Sequence, residues 1–255
     1  MKRFFTILCV GMMIIACQEK EEFIVDLRTP NKVEFQERIL PEGYVIGAKK
    51  PETLEAIDLG LSVKWSNMNL GATTPEETGD LFAWGEIEPK SYYGWSNYEF
   101  NEDHNNNTLY LTKYCYDRYG ENQDLDKETD NLNLHKYDDA AYMYYGEGFR
   151  MPTIEEMQEL ATKCTWTFET LKEEKVHRCT ATGPNGNSIV IIFADSSGQY
   201  TPSMQADYGG LWSSTLCYFS SPFAQCMHFN KSGIGIIANG QNRPWGMNIR
   251  AVYDK

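Results

Sequence analysis

Basic residues are scarce in this sequence: 255 residues carry 23 Lys and Arg against 36 Asp and Glu, a formal charge of −13. A surface of that sign repels phosphate backbones and anionic headgroups, which excludes nucleic acid as a natural partner. Long hydrophobic runs are confined to the first residues, and a mean hydropathy of −0.50 leaves no room for a set of membrane spans. Histidine is reduced to positions 104, 135, 177 and 228, never spaced as H-x-x-x-H or at zinc-finger distance from a cysteine pair, so no metal centre is expected from them. Serine in G-x-S-x-G and the phosphate loop G-x-x-x-x-G-K are both missing, which removes the hydrolase, kinase and nucleotide-binding readings. Aromatic residues, in contrast, are plentiful at 13% (16 Tyr, 12 Phe, 6 Trp), and only 23% of residues are charged. That balance suits a compact, β-leaning globular module and neither a coiled coil nor a disordered tail.

The N-terminus reads as an address. Residues 1 to 17, MKRFFTILCVGMMIIAC, give a basic start at Lys2 and Arg3, an apolar run from Phe4 to Ile15, and Ala16 before Cys17. The run is too short for a stable span and has the layout of a secretory signal. Its end, Ile-Ile-Ala-Cys, resembles the lipobox of bacterial lipoproteins, in which cleavage leaves the cysteine first and acylated. The expectation is a signal peptide over 1–16 and lipidation at Cys17, with several acyl chains as the sole membrane attachment. The following Gln18-Glu-Lys-Glu-Glu22 resembles the export signal of surface lipoproteins in Bacteroidetes-type bacteria, and reads equally as a solvated charge run. The expected location is the outer membrane, lipid-anchored and surface-exposed. Losing Lys2 and Arg3 with the signal leaves 21 basic against 36 acidic residues, a charge of −15.

Residues 17–55 are polar, with prolines at 30, 41 and 51, and read as a tether holding a short strand or helix over Val33–Leu40 at most. From Ala56 onward alternating apolar residues, glycine turns and aromatics continue without a break, predicting one domain over 56–255. Ile57–Trp65 alternates as a half-buried strand, and Asp80–Gly85 reads as another. Residues 101–139 are loop-like, then a helix is predicted from Asp138 or Asp139 through Tyr145. The plainest helix is 153–163, where Thr153 and Glu156 form a capping box and Ile154, Met157, Leu160, Ala161 and Cys164 share one face. Lys175–Ala181 and Ser188–Ala194 flank the turn residues Gly183–Asn187 as a hairpin. Three short strands follow near Gln225–Asn230, Gly235–Ala238 and Asn248–Tyr253, and Trp84 and Trp212 are assigned to the core.

The blocks IDLGLSVKWSNMNLGATTPEETGDLFAWGE (57–86), GFRMPTIEEMQELATKCTW (148–166), TGPNGNSIVI (182–191), YGGLWSST (208–215) and MNIRAVY (247–253) together resemble the Fibrobacter succinogenes major paralogous domain family, in the family's order and over nearly all of 56–255. The resemblance implies an α+β, C-type-lectin-like fold shared with formylglycine-generating enzymes: a twisted antiparallel sheet, two helices, long loops, and N- and C-terminal strands side by side. It supplies no activity. Where relatives read like F-L-P-A-A-G after the hairpin, this chain has Ile192-Phe-Ala-Asp-Ser-Ser-Gly198 without proline, so the next loop is expected to run differently.

Three site readings follow. Formylglycine-generating enzymes use a cysteine pair in this part of the fold, which makes Cys217 and Cys226 the candidates for an oxidase. The alternative is a structural pair or buried thiols among the five domain cysteines Cys115, Cys164, Cys179, Cys217 and Cys226, whose odd number leaves one over. Asp124, Asp126, Glu128, Asp130, Asp138 and Asp139 offer oxygen ligands for Ca²⁺, the single cofactor under consideration, although the glycine and distal glutamate of an EF-hand loop are missing. Asp138 and Asp139 also read as helix caps. The leading reading is a binding module for a glycan or a host or envelope protein, with no catalysis. Aromatic faces cover sugar C–H surfaces while amides take hydroxyls, and Gln199–Tyr218 and Asn239–Trp245 carry that mixture. The candidate contacts are Tyr208, Tyr218, Asn239, Asn242, Arg243 and Trp245, with Trp245 expected beside Tyr208 or Tyr218. A structural or assembly role in the envelope is the second reading.

Overall fold

The computed structural model describes residues 31–32, 34–102, 109–117, 122–125, 130–171, 176–194, 209–230, 233–236 and 240–254. Along the chain run β1 (Asn31–Lys32), β2 (Ala56–Ile57), β3 (Lys64–Ser66), β4 (Asn122–Gln123), α1 (Ala140–Tyr145), β5 (Phe149–Arg150) and α2 (Ile154–Lys163). Then follow β6 (Thr165–Leu171), β7 (Val176–Thr182), β8 (Ser188–Ala194), β9 (Gly209–Leu216), β10 (Phe223–Asn230), β11 (Gly233–Ile236), β12 (Gln241–Asn242) and β13 (Val252–Tyr253). The architecture is α+β, dominated by antiparallel sheets with two helices.

Both helices start where the sequence says they should. Asp139 caps α1, its carboxylate accepting from Ala141 and Tyr142 N–H, and Gly146 ends it at a φ of 77°. In α2 the Thr153 hydroxyl accepts from Glu156 N–H while the Glu156 carboxylate reaches back to Thr153 N–H, which satisfies two end donors at once. Its buried residues Ile154, Met157 and Leu160 form the stripe that faces the core.

Besides the two-stranded parallel pair β1-β4, three larger sheets surround two packed clusters. One sheet has the order β2-β3-β13-β5, with Val252 opposite Trp65 and Arg150, so the chain ends are joined through a central strand. The side-by-side placement expected of the first and last strands is therefore present. A second sheet is the meander β6-β7-β8, and in the third β10 pairs with β9 on one edge and with β11 and β12 on the other. An aliphatic cluster between α2 and the sheets gathers Leu59, Trp65, Met157, Leu160, Ile191, Phe229 and Val252. An aromatic cluster gathers Trp84, Tyr98, Tyr114, Tyr144 and Trp212, and the Trp84 and Trp212 indoles donate to Ser213 and Phe82 carbonyls at 3.0 and 2.9 Å. Arg250, fully enclosed, ties the sheets together: its guanidinium donates to Asn69 Oδ1, Ser66 O and Val190 O at 2.8–3.0 Å.

Several expectations need correction. Ile57–Trp65 is two strands of one hairpin and not one strand, because Asp58 Oδ1 accepts from Gly60 N–H and the backbone reverses at Gly60, φ 77°. Asp80–Gly85 is not a strand: among the described residues its β pairing is the isolated bridge between Phe82 and Met247. Gly209–Leu216, read as the loop of a glycan platform, is a strand buried along its whole length. Trp212 and Leu216 enter the aromatic cluster and Leu211 the aliphatic one, while Ser213, Ser214 and Thr215 are buried with hydrogen-bond partners, so both faces are covered and the resulting lack of alternation hid the strand. A Cβ at Gly209 would sit 1.9 Å from the Phe193 ring, so the strand also needs glycine there. β6 was not anticipated, although Trp166 and Phe168 alternate in it.

The largest correction concerns the tether. Residues 34–55 lie against the domain: the Phe35 ring packs edge-on against Tyr114 at 5.2 Å, Arg38 reaches Asp138, and Leu54 rests on the aromatic cluster. Val33–Leu40 is neither strand nor helix over its described residues 34–40. The altered loop after Ala194 lies outside the described residues through Tyr208.

Candidate functional site

The loop expected to meet a ligand does two different things. It begins as β12, which pairs Gln241 and Asn242 with Ala224 and Phe223 and leaves both half-buried. The next side chain turns inward. Arg243 is fully enclosed, donating from Nε to the Tyr98 hydroxyl at 2.8 Å and from its two terminal nitrogens to the carbonyls of Lys113 (3.0 Å), Ser221 (3.1 Å) and Tyr114 (3.2 Å). The rings of Trp84, Tyr98, Phe100 and Tyr114 lie 4.9–5.9 Å from its central carbon, so π faces and carbonyls surround the cation. Arg243 is thus an internal strut and not a ligand contact. The sequence argument that a polar residue is costly to bury holds only for one left unpaired, and this one is not.

Trp245 is half-buried, packed against the aromatic cluster, with its N–H donating to Asn242 O and its carbonyl accepting from the Trp212 indole. Tyr208 and Asn239 lie outside the described residues, as do Asp126, Glu128 and Cys17.

Exposed aromatic surface occurs at Phe168 of β6, 44% exposed, and as a pair at the turn joining β9 to β10. Phe219 is 73% and Tyr218 40% exposed, with their rings nearly perpendicular at 5.8 Å. Tyr116 lies within electrostatic reach of Tyr218 and donates its hydroxyl to Cys217 O. The base of this turn is cross-braced: Cys217 N–H donates to Phe223 O, Phe223 N–H to Ser220 O, and Asp117 accepts Ser221 N–H at 2.9 Å. Arg243 holds the Ser221 carbonyl from below. The buried strut and the exposed tip are therefore one construction, in which the arginine positions the turn that presents Tyr218 and Phe219. Phe219 was missed because only Tyr218 fell inside the segment considered, although the Tyr-Phe pair beside Ser220-Ser-Pro222 was visible as turn chemistry.

The β9–β10 turn brings the candidate oxidase pair Cys217 and Cys226 within electrostatic reach of each other, but buries both thiols. All five domain cysteines are buried thiols, and Cys226, wholly enclosed, has its pKa driven up by desolvation, which holds it in the unreactive protonated form. Burial likewise pushes the Cys115 thiol up to about 11. Of the described calcium candidates, Asp130 is exposed, while Asp124, Asp138 and Asp139 are committed to protein donors. Asp124 accepts from Tyr114 and Cys115 N–H, Asp139 from Ala141, Tyr142 and Met151 N–H, and Asp138 from Arg38, Lys113 and Tyr114. Among the described residues no group of His, Cys, Asp and Glu is placed to hold a metal.

Two buried groups set opposing pH dependences. Desolvation lowers His228 to about 4, and its Nε2 has no partner among the described residues. The unfolded imidazole takes a proton near 6.5, so this contribution is present above that pH and is lost as pH falls towards 4, a change of about 3 kcal/mol. Desolvation raises Asp139 to about 6, so its folded form holds a proton that the unfolded form has released, and stability falls as pH rises from about 4 to 6. The two largely offset. His228→Gln removes the first alone, and the variant is expected to gain melting temperature relative to wild type on going from pH 7 to pH 4.5. Parallel melting curves at the two pH values check this; an unchanged difference would contradict it.

The chain matches no family model, no curated protein and no solved structure.

Proposed function

We propose that this protein is a lipid-anchored outer-membrane lipoprotein whose C-type-lectin-like domain, of the Fibrobacter succinogenes major paralogous type, is a non-catalytic binding module that presents Tyr218 and Phe219 to a glycan or surface protein. The observation that carries the reading is the exposed aromatic pair on a turn braced from beneath by a buried arginine. Exposed rings held rigidly give contact area at low entropic cost, and stacking against sugar C–H faces suits that geometry. The lipobox-like Ile-Ile-Ala-Cys17 supports the anchor.

A glycan array probed with the chain lacking residues 1–17, with and without EDTA, tests the binding reading. Binding is expected to survive EDTA, since Asp124, Asp138 and Asp139 already have protein partners. Failure to bind any glycan would move the ligand to the protein class, and EDTA-sensitive binding would reinstate calcium. Anchoring has its own test: Cys17→Ala should shift the protein from the detergent phase to the aqueous phase, because acyl chains are its proposed membrane attachment. A variant still in the detergent phase would contradict the anchor.

A further inference from the structure

Residues 34–50 behave as a ligand laid on a finished surface. None of them is fully buried, and none is in a helix or strand. Among the described residues a single backbone hydrogen bond joins them to the domain, Gly47 N–H to Met143 O. At its far end Lys49 pairs with Glu88 at 2.7 Å and lies over the Tyr144 ring, and Lys50 lies over the Phe149 ring; at its near end Glu37 meets His135 at 3.1 Å and β1 just before it pairs with β4, while the two side chains that reach into the domain are three residues apart. Phe35 packs against Tyr114 and His135, with Lys113 Nζ 4.7 Å from its ring centre. Arg38 donates from Nε to Asp138 Oδ1 at 2.9 Å, from one terminal nitrogen to Glu99 at 2.5 Å, and from the other to Gly85 O at 3.0 Å, over the Phe100 ring.

The surface beneath is complete without the segment. Asp138, fully buried, keeps Lys113 Nζ at 2.5 Å and the Tyr114 hydroxyl at 2.6 Å if Arg38 leaves, so no naked charge remains. Gly85 takes a φ of 80° and packs where a Cβ would lie 2.6 Å from the Phe100 ring, an arrangement that turns its carbonyl to the arginine. Two carboxylates, a carbonyl and an aromatic face suit the flat, spread fork of a guanidinium, whose Nε and two terminal nitrogens each reach a separate acceptor while its plane lies over the ring, better than the compact point charge of an ammonium. The fit along the rest of the segment is loose. An open seam of about 430 Å³ runs between Ile39, Pro41 and Tyr44 and the domain residues Glu86, Ile87 and Lys90, and Ile39 points to solvent at 94% exposure.

We infer that this groove is an acceptor site for an extended polypeptide segment of a partner bearing an aromatic residue and, three positions later, an arginine, and that the chain's own residues 34–50 occupy it in cis as a displaceable strap. The strap shields the groove until a partner segment competes for it, which gives the domain an interaction surface separate from the Tyr218–Phe219 tip.

The test uses the chain lacking residues 1–17 with the double substitution Phe35→Ala and Arg38→Ala, and a fluorescently labelled peptide of residues 34–50 as the probe. The variant is expected to keep a cooperative melt and the near-UV circular dichroism of the parent, and to bind the peptide saturably. The unsubstituted chain should bind it about tenfold or more weakly, since its own strap competes at an intramolecular effective concentration. The same peptide with Arg38→Ala should not bind. The proposal is overturned by a folded variant that does not bind, by equal binding to the unsubstituted chain, by binding indifferent to the arginine, or by a variant that fails to fold, which would make the strap part of the core.

Discussion

Arg243→Met is expected to destabilise the domain by a large fraction of its total stability. Methionine fills similar volume but donates nothing, so the carbonyls of Lys113, Tyr114 and Ser221 would each remain buried without this donor. At about 1 to 3 kcal/mol for each unsatisfied group, the loss is at least about 3 kcal/mol, against a total of about 5 to 15 for a domain of this kind. The aromatic cage cannot compensate, because its faces were arranged around a cation. Urea unfolding followed by tryptophan fluorescence measures the change. A midpoint equal to that of the parent would show that water replaces the guanidinium without cost, and the strut would then have no structural role.

Deleting Asn248–Lys255 is expected to abolish the folded state. The deletion removes β13, the central strand between β3 and β5, and with it the buried Ile249, Ala251 and Val252. It also removes Arg250, which joins Ser66 and Asn69 to Val190 on the neighbouring sheet. Ser66 and Leu70 N–H would lose their acceptors at Ala251 and Ile249, leaving buried backbone donors unpaired. The truncated chain should show no cooperative melt; a transition of full size at the original temperature would mean that the C-terminal strand is peripheral.

Much of this was legible in the sequence, and the exceptions have a common cause. Local chemistry was enough wherever it decides the outcome: the Thr153–Glu156 box started α2, Asp139 capped α1, and Gly183–Asn187 turned β7 into β8. The pairing of β3 with β13 was anticipated through family resemblance, not from the residues themselves. What failed were positions where burial on both sides erases the alternating pattern, as in Gly209–Leu216, or where a polar side chain is buried with a full set of partners, as at Arg243 and Arg250. A guanidinium coordinated by carbonyls from distant segments has no local signature. Arg38 and Phe35 were misjudged for a related reason: a polar, proline-punctuated stretch looks like a tether until the carboxylates that receive it, from residues 99 and 138, are brought together by the fold. At the candidate site the sequence named Tyr218, which is exposed, and Arg243, which is an internal strut, and it passed over the exposed Phe219.

The central claim is that Tyr218 and Phe219 form a recognition surface carried by a scaffold that does not need them for stability. The direct measurement is paired binding and melting of the double variant Tyr218→Ser, Phe219→Ser, using whichever array ligand the parent chain binds. Exposed side chains at a turn should cost less than about 0.5 kcal/mol when replaced, so the account predicts binding lost with a melting temperature close to the parent's. Binding retained at the parent's affinity would contradict it.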